Sequence, residues 1–258
     1  MKMRPETNLP KHIFFDVGHV LVKPSLAYVI WQIGPKKIAK YIWKYKKTVS
    51  RQFLQKRLFD YINTCSNLPT HDSILSCEQP IPQIIYQWVI GKIDSQELLN
   101  YINQDHPSKN SFFDSDVERD LVLATANLFK PEVHVGIQRE ISAMISLFKE
   151  CAKAYPGRVY ILSNWDKSCA LLKTEFSDIF NTIDQDHIIF SANIGCAKPD
   201  HEIFDYIANQ FKLKKSQCIL IDDMPENIAG IARWGGHGIL YTDVYQTQKQ
   251  LRDLLLDK

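Results

Sequence analysis

The sequence predicts an α/β fold in which helices cover both faces of a parallel sheet, and three observations carry that expectation. Past Pro131, short apolar runs rich in Ile, Leu, Val and Phe alternate with stretches of helical periodicity. Near the N-terminus, HIFFDV (12–17) is the same kind of run, ending in an acid and followed by Gly18. The composition is ordinary: 258 residues, 45% hydrophobic and 23% charged, with 10 Gly and 12 Pro, exclude a disordered, collagen-like or coiled-coil chain.

Taken in order, residues 12–17 read as a buried strand with Asp16 at its tip, and Val20-Leu21-Val22 as a second apolar group. From Pro24 to about Lys130 the spacing turns helical, without obvious strands. Ile38, Ile42, Tyr45, Val49 and Phe53 make one stripe, and Lys37, Lys40, Lys44, Lys47 and Arg51 another, which predicts one amphipathic helix with a basic face over 36–59. Trp88, Gly91 and the segment 107–113 add helices and loops. After Pro131, Ile141, Ile145 and Phe148 mark a helix, and RVYILSN (158–164) is a strand ending in Ser163 and Asn164. A helix then runs to about Phe176, HIIF (187–190) is a strand, and a loop reaches Lys198. Pro199 opens a helix with Ile203, Ile207 and Phe211 on one side. CILIDD (218–223) is a strand, Pro225 opens a helix that Gly235 and Gly236 close, and GILY (238–241) precedes a terminal helix. The expected architecture is a three-layer, Rossmann-like core of residues 1–23 and 131–258, interrupted by a helical insertion at 24–130.

Six cysteines, at 65, 77, 151, 169, 196 and 218, are scattered without a C-x-x-C pair or zinc spacing, so reduced thiols are the economical reading. No apolar stretch approaches 18 residues, and MKMRPETNLPKH has charge and proline where a secretory signal needs its apolar segment. The expected location is therefore cytoplasmic. Net charge is +2 but uneven: residues 1–59 hold 13 Lys/Arg against Glu6 and Asp16, while the remainder holds 18 bases and 27 acids. The basic character is local, and nine of those bases lie in 36–59 without an acid among them. Beside the plain role of a solvated face, that stretch offers contact to an anionic membrane or protein partner, or attraction for a phosphorylated substrate. No nucleic-acid recognition module accompanies it, so specific nucleic-acid binding is not expected.

In an open parallel sheet the ligand crevice lies beyond the C-terminal strand ends. Asp16 ends the first strand, Ser163 and Asn164 the second, Asp222 and Asp223 a third, and Lys198 comes from a loop. Carboxylates suit a hard divalent cation, while a hydroxyl and an ammonium suit phosphate oxygens; a carboxylate beside the metal can also serve as nucleophile. Singly, each residue has a plainer reading: a helix cap for Asp16, a turn for Ser163-Asn164, a solvated surface for Lys198. The pair Asp222-Asp223 is less easily explained away, because adjacent acids repel and gain most from a cation. The remaining histidines (12, 71, 106, 134, 187, 201 and 237) show no ligand spacing, and Cys196 reads as a packing residue.

These residues resemble the four signatures of the haloacid dehalogenase (HAD) superfamily, in order: FFDVGHVL (14–21), LSNW (162–165), AKPDHEIF (197–204) and LIDDMPENIAGI (220–231). The resemblance implies a magnesium-dependent phosphatase that acts on a small phosphorylated metabolite through an aspartyl-phosphate. Asp16 would be the nucleophile. Ser163 and Asn164 would bind the phosphoryl group with Lys198, which also neutralises the nucleophile. Asp223 would bind magnesium directly, with Asp222 assisting and the Gly18 backbone carbonyl completing the set with Asp16. Residues 24–130 would be the family's helical cap. Most phosphatases of the superfamily carry a second Asp where Gly18 stands, as general acid and base. A sugar-phosphate phosphatase-like branch is similar to this chain in having D-x-G-x-V. His19 is a substitute acid only if its side chain turns inward, against what a continuing strand implies. Two rival functions remain: a catalytically weak scaffold that binds a phosphorylated ligand or partner, and a haloacid dehalogenase, against which the paired acids argue.

Overall fold

The computed structural model describes residues 11–65, 70–76, 79–104 and 109–256. His106, Cys77 and the N-terminal ten residues, all read above, lie outside them. The chain divides into two compact units: one of residues 1–23, 140–164 and 176–258, the other of residues 24–139 and 165–175.

The first unit is built on a five-stranded sheet in the spatial order Ile188–Phe190, Val159–Ser163, His12–Phe15, Cys218–Asp222, His237–Leu240. Every pairing is parallel. The strands are near-continuous apolar runs because both faces are buried: Ile13, Phe14 and Phe15 are all inaccessible to solvent. Alternation sends Phe14 and Phe15 to opposite faces. Phe14 joins Tyr160, Leu162 and Leu220 against Ile203, Phe204 and Ile207 of the helix His201–Phe211 and Ile231 and Trp234 of the helix Pro225–Trp234. Phe15 meets Phe148 of the helix Ser142–Ala154 edge-on, with ring centroids 5.2 Å apart. The expected three-layer α/β core is what this unit shows.

The second unit is mainly helical. Ile33, Tyr41, Leu54, Leu121 and Ala124 form its core, and Ile38, Tyr45, Val49 and Phe53 pack against them. Four of the five residues in the predicted apolar stripe thus do the expected packing. Ile42 does not: it is exposed, and Tyr41 takes the buried place.

Three expectations need correction. The basic stretch 36–59 is not one helix but two, Pro35–Tyr45 and Arg51–Cys65. Lys46 turns left-handed at φ 54°, its N–H closing on the Ile42 carbonyl at 2.8 Å. Thr48 and Val49 are stiff β-branched residues that do not re-extend the helix, and the Ser50 hydroxyl accepts the Phe53 N–H at 3.0 Å to start the next one. Residues 24–130 also contain strands, Thr70–Ser76 and Gln79–Pro82, paired antiparallel from Thr70 opposite Pro82 to Ser76 opposite Gln79. Pro80 and Pro82 hid the second strand, since proline argues against a ladder; a two-stranded ribbon is all edge and tolerates it. Finally, the helix expected from Pro199 begins at His201. Among the described residues no helix is long and apolar enough to cross a membrane.

Candidate active site

Three neighbouring strands of the first unit end at one edge of the sheet, and parallel pairing makes all three ends C-terminal. Asp16 follows the central strand, its N–H bonding the Ile221 carbonyl at 3.0 Å. Ser163 ends the strand on one side and Asp222 the strand on the other. The register sets Phe15 level with Ile161 and Ile221, so Asp16 stands beside both.

Lys198 reaches into this edge from its loop and is 0% exposed, so the surface reading fails for it. Its ammonium donates to the Leu162 carbonyl at 2.7 Å and to Asp222 Oδ2, and lies 3.0 Å from Asp16 Oδ1. Burial alone would lower its pKa, but Asp16 and Asp222 outweigh burial and raise it, so the ammonium is kept charged. The loop is fixed by Asn164, whose side-chain amide donates to the Lys198 carbonyl at 2.8 Å and accepts the Lys198 N–H at 2.9 Å. Both ends of that amide are engaged with the lysine's backbone, so Asn164 positions the Lys198 loop, with the second Nδ2 hydrogen left over from these two bonds.

The carboxylates differ in what they have left to give. Asp222 is fully buried and the most heavily engaged: Oδ2 takes Lys198, and Oδ1 accepts from the Met224 N–H and the Asn227 amide, both at 2.9 Å. It orients the lysine and starts the helix Pro225–Trp234. Asp16 Oδ1 is buried with no donor aligned on it, although the lysine is within ion-pair distance. Asp223 is partly accessible. Burial pushes the Asp16 carboxyl up to about 6 against the opposing pull of Lys198 and a hydrogen bond from Ser163, with Asp222 adding to the rise. Burial, then the charges of Asp16 and Asp222, push Asp223 up to about 7.

Oxygens of Asp16, Asp222 and Asp223 lie within 4.8 Å of one another. Three carboxylates thus face one ammonium, one buried oxygen lacks a donor, and two carboxyls resist ionisation. A hard divalent cation answers all three conditions, and the donor set, all oxygen, fits magnesium; Asp16 and Asp223 are the side chains free to hold it.

After Phe15 the strand stops. The N–H groups of Val20, Leu21 and Val22 all close on the Val17 carbonyl, and Gly18 bridges to Val22. His19 is left-handed at φ 57°, its N–H on the Val22 carbonyl at 2.6 Å. The expectation that its side chain points away rested on a continuing strand, and that premise does not hold. Cys196 is partly buried against the core, with its thiol pKa raised by burial and by Glu202, as a packing residue requires.

Sequence reading missed one polar group in the second unit. His134 Nδ1 lies 2.8 Å from Asp166 Oδ2, and its ring stacks on Trp165 with centroids 4.7 Å apart and 11° between planes. Asp166 is held by the Ser168 N–H at 2.8 Å and the Ser168 hydroxyl at 3.1 Å, and Trp165 Nε1 donates to the same hydroxyl at 3.0 Å. Nothing in a sequence pairs residues 32 positions apart. The available hint was that Trp165 and Asp166 directly follow LSN.

No protein-family model matches the chain, and no curated protein matches it. Solved structures do, over most of its length. A predicted HAD-like family hydrolase from Porphyromonas gingivalis matches at 18% identity and TM-score 0.56, over 97% of this chain and 100% of that one. A HAD family enzyme from Bacteroides thetaiotaomicron, solved in complex with magnesium and inorganic phosphate, matches at 15% identity and TM-score 0.52, over 91% and 95%. A HAD phosphatase from Thermococcus onnurineus matches at 13% and 0.54, over 93% and 97%. At such identities the likeness is one of architecture: this chain has the fold of the HAD-family enzymes.

Proposed function

We propose that the protein is a magnesium-dependent phosphatase that hydrolyses a small phosphorylated metabolite, of the sugar-phosphate class, through an aspartyl-phosphate on Asp16. The observation that carries this reading is the fully buried Lys198, fixed between Asp16 and Asp222 by a backbone carbonyl and by Asn164. A solvated or merely stabilising lysine does not need three acceptors and a dedicated amide clamp, whereas a phosphoryl-transfer site needs a fixed positive charge beside its nucleophile.

In this reading the ionised Asp16 carboxylate attacks phosphorus, forming an acyl-phosphate bond as the ester P–O bond breaks, and water then hydrolyses the intermediate. Ser163 donates its hydroxyl to the phosphoryl oxygens, and Lys198 neutralises them. Asp16, Asp223 and the Gly18 carbonyl would hold magnesium, which supplies further charge neutralisation on the transferring group. Asp222 keeps lysine and helix in place. The second unit takes the part of the cap. Gly18 offers no carboxylate to protonate the leaving oxygen, which favours substrates whose alcohol departs easily, such as an anomeric phosphate.

The test is phosphate release from an aryl phosphate and a sugar-phosphate panel with magnesium. Asp16→Asn should abolish turnover, because an amide is not a competent nucleophile, and Asp223→Ala should raise the magnesium requirement. Wild-type release by both variants would overturn the reading. The missing side chain at Gly18 favours one rival, a scaffold that binds magnesium and beryllofluoride yet yields no phosphate from any substrate. Dehalogenation in the presence of a chelator would instead identify a haloacid dehalogenase.

A further inference from the structure

The second unit carries a surface that phosphate chemistry does not explain. The helix Leu26–Ile33 has the sequence LAYVIWQI, without one charged residue. Only part of it is needed inside: Ile33 and Val29 join the unit's core. Leu26 is 73% exposed and Trp31 72%, with Ile30 also exposed. Water-facing helix surfaces are ordinarily polar, and large apolar side chains left out together mark a contact.

The next helix, Pro35–Tyr45, buries Tyr41 and turns a different face outward. Lys36, Lys40 and Trp43 stand at i, i+4 and i+7 on that face, and all three are exposed, Trp43 by 77%. The Lys46 ammonium lies 5.4 Å from the Trp43 ring centroid. Residues 35–47 contain six lysines and no arginine, and no acid occurs anywhere between Asp16 and Asp60.

We propose that the helices Leu26–Ile33 and Pro35–Tyr45 form a docking surface for an anionic lipid bilayer, with Leu26, Trp31 and Trp43 entering the interface and the lysines meeting the headgroups. Charge complementarity selects this occupant. Protein interfaces are enriched in arginine and depleted in lysine, the reverse of what stands here, whereas tryptophan with lysine is the pairing of the membrane–water boundary. A second copy of the chain is a poor partner, since a two-fold contact would set these lysines against themselves. The contact is peripheral and goes beyond the hydrolytic reading, on which it does not depend.

The experiment is flotation of the full chain with phosphatidylcholine vesicles, alone or carrying about 30% phosphatidylserine. Binding is expected only with phosphatidylserine, with a blue shift of tryptophan emission, and should fade between about 0.1 and 0.5 M salt. Each lysine removed should cost roughly fivefold in partitioning, so Lys36→Glu with Lys40→Glu should lose at least about 25-fold. Trp31→Ser with Trp43→Ser should abolish the shift and weaken binding. Lys249→Glu with Arg252→Glu, the same charge change on an exposed part of the first unit, should bind as wild type. Melting curves of all variants confirm folding. Absence of phosphatidylserine-dependent flotation would overturn the proposal, as would binding that survives both patch variants. Capture by an acidic polypeptide with no dependence on the tryptophans would assign the surface to a protein partner instead, and tryptophan-dependent dimerisation without lipid would assign it to a second copy.

Discussion

At the level of single residues, the two raised carboxyls make stability depend on pH in an unusual direction. In the unfolded chain an aspartate titrates near 3.8, whereas Asp16 is pushed up to about 6 and Asp223 to about 7. Between those values the folded state holds protons that the unfolded state has released, so their contribution is present below about pH 4 and is lost as pH rises toward 7. Lys198, raised from 10.5, contributes outside this window, and His12, lowered by burial, works in the opposite direction within it. The clean readout is therefore a difference: in chelator, the melting temperature of Asp223→Asn minus that of wild type should grow by several degrees from pH 4 to 7, at about 2 to 4 °C per kcal/mol for a chain of this size. Magnesium should reverse the sign at pH 7, because only wild type keeps the ligand. A difference flat with pH in chelator would show that Asp223 is not raised. Asp16, Ser163, Asp222 and Asp223 were legible because strand ends announce themselves as apolar runs stopped by polar residues. Lys198 was legible only as part of a motif; its burial was not, since a lysine after a loop carries no mark of the carboxylates that wait for it.

Elements explain how that lysine is held. A Cβ built on Gly230, in the helix Pro225–Trp234, would lie 2.7 Å from both the Cβ and the carbonyl oxygen of Pro199. That helix therefore packs directly on the residue after Lys198, and only glycine allows the approach. In Gly230→Ala, helix propensity gains up to about 1 kcal/mol, but overpacking against a ring and a backbone carbonyl costs about 1 to 3 kcal/mol. The expected result is a lower melting temperature and reduced turnover, and Pro199→Ala should not relieve either, because alanine keeps the Cβ and the carbonyl that the new methyl would meet; full activity with a raised melting temperature would show that the loop yields freely. The sequence places this glycine inside a helical pattern, where it looks like a flaw. Its partner is 31 positions away, beyond the reach of local periodicity. The same limit explains the divided basic helix: Lys46 ends the first segment by backbone conformation, while both apolar and basic stripes run on in register across the break.

For the whole molecule, alternation and composition were enough to foresee the parallel core, because a fully buried strand must be apolar throughout and a helix covering it must be apolar on one side. The helical insertion was read with less success, since its hairpin contains two prolines and its exposed tryptophans look like core residues to any hydropathy count. A further consequence lies in how the chain is routed. The second unit is not a single insertion: after Asn164 the chain leaves the first unit once more, for residues 165–175, before returning. The helix Cys169–Glu175 packs on Pro131–Gly136, and Leu172 is fully buried. Excising 24–139 behind a short linker would therefore not yield a clean minimal protein. It would leave the helix Cys169–Glu175 without the helix Pro131–Gly136 on which it packs, and that truncation should aggregate, while one that also replaces 165–175 should stay dispersed in a sedimentation assay. The insertion is in effect a graft with two stems, so a variant meant to carry the first unit alone has to close two gaps in the chain rather than one.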